Sequence, residues 1–207
     1  MIKVLKNHAP LQRFLYILIS LLYFSFLVLD FLGQQFSFSS DLKWLSIGLI
    51  AILQNLDKKT VIAWKLAAWL TVICDFSLLF NHKIVLGVLL FCGVHALRIY
   101  VVEEKWFWRI LSICSLILFV SILQKQIELG ILLMYVFLLI FMTGLTLIKK
   151  KRQLTIAYLL FISCDLCVAF GNLVSQMTIS QILLSLSWLF YIPSQLLLIQ
   201  TSEEEIH

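Results

Sequence analysis

Eight stretches of this chain are too apolar to lie in water: Phe14 to Leu32, Leu42 to Leu56, Val61 to Phe80, Ile84 to Val102, Trp106 to Leu123, Leu129 to Ile148, Leu154 to Val174 and Ile179 to Ile199. A helix that crosses a bilayer takes about 20 such residues, so eight of them nearly exhaust the 207 available. What remains suffices for short turns and leaves no room for an extramembrane domain. None of the stretches alternates apolar with polar residues, as a barrel strand facing a lumen would. The pattern therefore predicts an all-α polytopic membrane protein, a single bundle of eight transmembrane helices forming one domain over residues 1–207. The second stretch, Leu42 to Leu56, reaches only about 22 Å as a helix; it must extend into its flanks or sit where the bilayer is thinned. The first has the look of a signal peptide, but no small-residue cleavage site follows Gly33, and it reads as a span.

Charge sets the orientation. The chain carries 16 Lys and Arg against 11 Asp and Glu, but the basic residues are spread singly between apolar runs, which excludes a nucleic-acid surface and suits topology signals. Lys3, Lys6, Arg13, Lys58, Lys59, Arg98, Lys105, Arg109 and the run Lys149 to Arg152 fall on one side. Lys43, Lys83 and Lys125 fall on the other, and Lys65 lies inside a span. This asymmetry places both termini in the cytoplasm. Abundant Phe, Ile, Leu and Lys suggest an AT-rich genome and hence a bacterial cell membrane. The five cysteines, Cys74, Cys92, Cys114, Cys164 and Cys167, all lie in apolar stretches and read as small buried hydrophobes rather than metal ligands; no metal or cofactor is expected.

Polar groups at membrane depth carry the functional information, since each charge there is costly unless paired or wetted. Counting along the helices, Asp75 lies about 21 Å and Asp165 about 16 Å from the cytoplasmic edge, and His95 and Tyr191 about 16 Å from the outer edge. Their depths cluster near the midplane, as a shared polar cavity requires. Tyr158, Asp165, Asn172 and Gln176 form one helical stripe, and Trp188, Tyr191 and Gln195 another. Lys65 and Arg98 sit a turn or so from the cytoplasmic boundary, placed to snorkel. Asp30, near the outer end of the first span, is expected to be solvated. A weak likeness between Leu70 to Phe76 and Leu160 to Leu166, 90 residues apart, reads as chance self-similarity of apolar sequence.

Two carboxyls and an imidazole in low-dielectric surroundings are competent for acid and base chemistry, one carboxyl serving as acid and the other as base. The motifs of serine hydrolases, zinc proteases, P-loop ATPases and dinucleotide-binding enzymes do not occur. A protein that binds or moves a lipid or small molecule, or a structural membrane subunit, remains open on these residues alone.

The order of Asp75 in the third span, Gly87 to His95 in the fourth, Phe161-Ile162-Ser163-Cys164-Asp165 in the seventh and Tyr191-Ile192-Pro193-Ser194-Gln195 in the eighth resembles the YhhN family of membrane proteins, which includes the lysoplasmalogenases. The likeness covers roughly residues 42 to 199. It maps the family's polar signatures onto Asp75, His95, Asp165, Tyr191 and Gln195, with Cys74 and Cys164 where the family has Gly and Ser, and Arg98 where it has an aromatic residue. The resemblance implies hydrolysis of the vinyl ether bond of a lysoplasmalogen-type lysolipid to a fatty aldehyde and a glycerophospho-base. In that reading Asp75 and Asp165 share the acid and base roles and His95 orients one of them or the water. Tyr191 and Gln195 hold the substrate's polar part, Tyr158 and Asn172 line its path, and Lys65 or Arg98 meets its phosphate.

Overall fold

The computed structural model describes residues 10–32, 37–57 and 60–204. Lys3, Lys6, Lys58 and Lys59, part of the basic side, lie outside them. The described residues form eight helices: α1 Pro10–Phe31, α2 Ser37–Leu56, α3 Ile62–Leu79, α4 Ile84–Val102, α5 Glu104–Leu123, α6 Ile127–Ile148, α7 Arg152–Leu173 and α8 Met177–Glu204. Seven are long and apolar enough to cross a membrane, and the protein is an integral, multi-pass membrane protein built as one helical bundle. The seven do not include α2, whose first turns carry Ser39, Ser40, Asp41 and Lys43. It nevertheless runs for 20 residues, about 30 Å, by extending the short apolar stretch at its N-terminal flank.

Short turns make successive helices antiparallel neighbours. Two of the turns end their helix with a lysine in the left-handed region, Lys125 at φ 57° and Lys150 at φ 57°. In each, the following amide reaches back to the last turn, Gln126 N–H to the Ser121 carbonyl at 2.8 Å and Lys151 N–H to the Thr146 carbonyl at 3.0 Å. Carbonyls that helix ends would leave bare are satisfied this way.

Around the bundle, α2, α3, α4, α6, α7 and α8 pack in a ring, with α1 outside against α2 and α8 and α5 outside against α4 and α6. Replacing each helix by the fourth one after it reproduces this pattern: α1–α2 becomes α5–α6, α3–α4 becomes α7–α8, α1–α8 becomes α5–α4, and α2–α8 becomes α6–α4. The fold is thus two four-helix halves related by an approximate two-fold axis. Asp75 and Asp165 are each the fourteenth residue of their helix, α3 from Ile62 and α7 from Arg152. The resemblance 90 residues apart, expected to be chance, therefore coincides with equivalent places in the fold.

The outer helices turn largely apolar faces outward, Phe14, Ile17, Leu21, Phe24 and Val28 on α1 and Trp108, Leu116, Phe119 and Leu123 on α5. Lipid supplies their partner. Inside, close approach is made by small residues, as is usual between membrane helices. A Cβ on Gly87 of α4 would stand 2.4 Å from Leu78 Cδ2 of α3. Pro193 inside α8 has no N–H for the carbonyl four residues earlier; that carbonyl, Leu189, instead accepts the Tyr23 hydroxyl of α1 at 3.1 Å.

One expectation is corrected where α1 ends and α2 begins. Asp30 is buried, not solvated. Ser39 donates to its Oδ1 at 2.5 Å and Lys43 Nζ lies 2.6 Å from Oδ2. A carboxylate one turn from a helix end can reach solvent, but here the start of α2 folds over it.

Candidate active site

Two aspartates, Asp75 buried and Asp165 half-buried, are each held by one tyrosine. On α3, Asp75 is buried and its Oδ2 accepts the Tyr191 hydroxyl of α8 at 2.7 Å. On α7, Asp165 Oδ2 accepts the Tyr135 hydroxyl of α6 at 2.6 Å. In each case the second carboxyl oxygen is left for other chemistry.

His95 of α4 is wholly buried between them. Its ring lies 5.5 Å from that of Tyr135, 5.8 Å from Tyr158 and 5.4 Å from Phe161. Phe161 in turn packs edge-on against Tyr191 at 5.6 Å. A belt of rings therefore joins one Asp–Tyr pair to the other through the imidazole, and tilted or edge-on aromatic packing of this kind is favourable. Neither carboxyl hydrogen-bonds His95, and among the described residues both ring nitrogens are without a hydrogen-bond partner. Where a cavity shared by Asp75, His95 and Asp165 is expected, the imidazole is packed among aromatic rings. Convergence follows from the fold, but contact between acid and imidazole is through tyrosine and phenylalanine rather than direct.

An open space does exist one turn away along α3, α4 and α8. It is a small cavity lined by Gln54, Thr71, Arg98 and Gln195 together with Ala51, Ala68 and aliphatic side chains. Arg98 Nη2 donates to Gln195 Oε1 at 3.3 Å, and the guanidinium sits over the Trp64 ring at 5.9 Å.

Other sequence candidates fall elsewhere. Tyr158 is fully buried against His95. Lys65 donates to the Asn55 carbonyl at the end of α2, at 3.4 Å, and so caps that helix rather than facing the cavity. Asn172 is exposed and bonds back to the Val168 carbonyl of its own helix at 2.8 Å, and Gln176 is exposed as well. The polar stripe of α7 thus stops serving the core at Asp165: Asn172 is exposed, and Gln176 lies beyond the end of the helix. Trp188 packs between Tyr191 at 5.2 Å, Phe26 at 5.8 Å and the Lys43 ammonium at 5.3 Å. Tyr135 was not singled out from sequence: α6 is the most apolar helix, and a lone tyrosine there reads as packing. The only signal was a hydroxyl at mid-depth.

Among the described residues no group of three or more His, Cys, Asp or Glu side chains is placed to hold a metal ion. Compared with known proteins, the chain matches no family model, no curated sequence and no solved structure.

Proposed function

We propose that the protein is an intramembrane hydrolase of the YhhN type, cleaving the vinyl ether bond of lysoplasmalogen-like lysolipids. The observation that carries this reading is the pair of carboxyls within the bundle, Asp75 buried and Asp165 half-buried, at equivalent places in the two halves and each bonded through one oxygen to a tyrosine hydroxyl. A fold that holds lipid on every side suits a lipid substrate.

Vinyl ether hydrolysis needs little more than two such groups. One carboxylic acid protonates the β-carbon of the alkene, and the electron pair of the C=C bond forms the new C–H bond while the ether oxygen shares the resulting positive charge. Water adds to this oxocarbenium carbon and gives its proton to the second carboxylate. The hemiacetal then releases aldehyde and the glycerol hydroxyl. Tyr135 and Tyr191 hold the carboxyls in register, and the rings of Phe161 and His95 exclude bulk water from the cation. Both termini lie in the cytoplasm of a bacterial membrane, and the single helical domain carries the whole reaction.

The test is incubation of purified protein with vinyl-ether, alkyl-ether and acyl lysolipids, with aldehyde, alcohol and free acid read by mass spectrometry. Aldehyde from the vinyl ether alone is expected, lost in Asp75→Asn and in Asp165→Asn with similar folded yield. Full turnover in both variants refutes the assignment. No aldehyde, together with substrate-coupled proton flux in vesicles, would replace it with lipid or small-molecule transport.

A further inference from the structure

Arg98 is a buried cation without an anion. Its side chain is 3% exposed, and among the described residues no carboxylate is in salt-bridge range of it. Its one hydrogen-bonding partner there is the neutral Gln195 amide. The other end of the fork, Nη1, has no hydrogen-bond partner, and neither does Gln195 Nε2; both groups are buried and both line the small cavity between α2, α3, α4 and α8. Gln54 and Thr71 complete its polar wall. A guanidinium at membrane depth is costly unless paired, and the ring of Trp64 meets only part of that cost.

The geometry points to a phosphate-binding site here, with Arg98 as the charged anchor and Gln195 Nε2 as a second donor; the cavity has room for about one water, which is one phosphate oxygen between the two donors, and the rest of the group enters by parting the side chains around it. A planar fork with a free N–H, beside an amide with free N–H, is the arrangement that takes a tetrahedral oxyanion through charge-assisted bonds. The site lies on the side of the bundle where α4 ends at Val102. Lys65, which bonds the end of α2, is not its partner.

Its register against the aspartates makes the phosphate that of a lysophospholipid. Gln195 is one turn along α8 from Tyr191, and Thr71 one turn along α3 from Asp75, so the cavity lies about 6 Å along the helices from the Asp75–Tyr191 bond. A glycerol backbone is long enough to span that distance once the packed side chains part, with phosphate at Arg98 and the first-position chain at Asp75. This alignment rests on the hydrolase reading; the phosphate site itself does not.

The experiment measures binding rather than turnover. Protein in detergent is titrated with a lysophosphatidylethanolamine, with the matching monoacylglycerol that lacks phosphate, and with inorganic phosphate, by native mass spectrometry and thermal shift. The phosphate-bearing lipid is expected to bind and stabilise the wild type, and Arg98→Gln to weaken it about 30-fold, the scale of a lost charge-assisted pair. Monoacylglycerol is expected to bind both proteins alike. Competition by inorganic phosphate would assign the site to free phosphate; its absence would assign it to the lipid headgroup. Arg98→Met, which removes the stranded charge, is expected to be at least as heat-stable as the wild type without ligand and to lose the ligand-induced shift. Gln195→Leu serves if an Arg98 variant fails to fold, with the same loss expected. Equal binding of the phospholipid by wild type and variant, or equal wild-type affinity for both lipids, overturns the site. Asp75→Asn retains phosphate binding, so loss of the hydrolase reading and loss of this site are separate results.

Discussion

Removing Lys43 should destabilise the bundle more than any other single charge change at the end where α1 meets α2. Its ammonium lies 2.6 Å from Asp30 Oδ2, with side chains 11% and 1% exposed. At an effective dielectric of about 20, unit charges at that separation attract by about 6 kcal/mol. Desolvation of both ions offsets most of this, so the pair contributes little net stability over an apolar pair of the same shape. Breaking it is different. Lys43→Met leaves a buried carboxylate with only the Ser39 hydroxyl, at an expected cost of about 3–5 kcal/mol. Asp30→Asn is milder, because the ammonium keeps the faces of Trp188 and Phe26 at 5.3 and 5.9 Å, a contact worth about 0.5–2 kcal/mol. The double variant Lys43→Met with Asp30→Asn carries no charge and should recover to within about 2 kcal/mol of the wild type. Unfolding in detergent micelles, followed by tryptophan fluorescence, measures the cycle. Single variants within about 0.5 kcal/mol of the wild type, or a double variant that simply sums the two losses, would refute the buried-pair reasoning.

Three further outcomes follow from local geometry. Tyr23→Phe should cost about 1 kcal/mol by stripping the Leu189 carbonyl that Pro193 leaves open, and should cost much less with Pro193→Ala, where the restored N–H takes that carbonyl; equal losses in both backgrounds, by thermal unfolding, would contradict this. Gly87→Ala should cost about 1–3 kcal/mol through overpacking against Leu78, and Leu78→Ala should relieve the clash, as read by melting of the double variant. At the turn after α4, Lys149 ion-pairs with Glu103 and donates to the Val102 carbonyl at 2.9 Å. Its hydrogen bond holds the Glu103 carboxyl below the usual value. A carboxyl with a depressed folded pKa contributes stability above the unfolded value, near about 4.3, and loses it as pH falls through the folded one. The difference in melting temperature between wild type and Glu103→Gln should therefore be present at neutral pH and close as acid is added; a gap that widens in acid would reverse the sign.

The sequence by itself determined the class and the helix inventory, because hydrocarbon permits one economical solution for a chain of apolar runs: helices that satisfy their own backbone. The windows from Val61 onward match their helices to within a few residues for that reason. It also determined which groups are out of place in lipid, since Asp75, His95, Arg98 and Asp165 stand out against their surroundings whatever the packing. Tertiary structure decided which of these meet. Helical periodicity placed Tyr158, Asp165, Asn172 and Gln176 on one stripe, but only the packed helices show that Tyr158 and Asp165 meet neighbouring helices while Asn172 and Gln176 are exposed. Only packing pairs Asp165 with Tyr135 on a different helix, buries Asp30 beneath α2, and leaves Arg98 beside an amide instead of an acid. Partner choice across helices depends on rotation and register, which an apolar run, uniform around its circumference, does not encode locally.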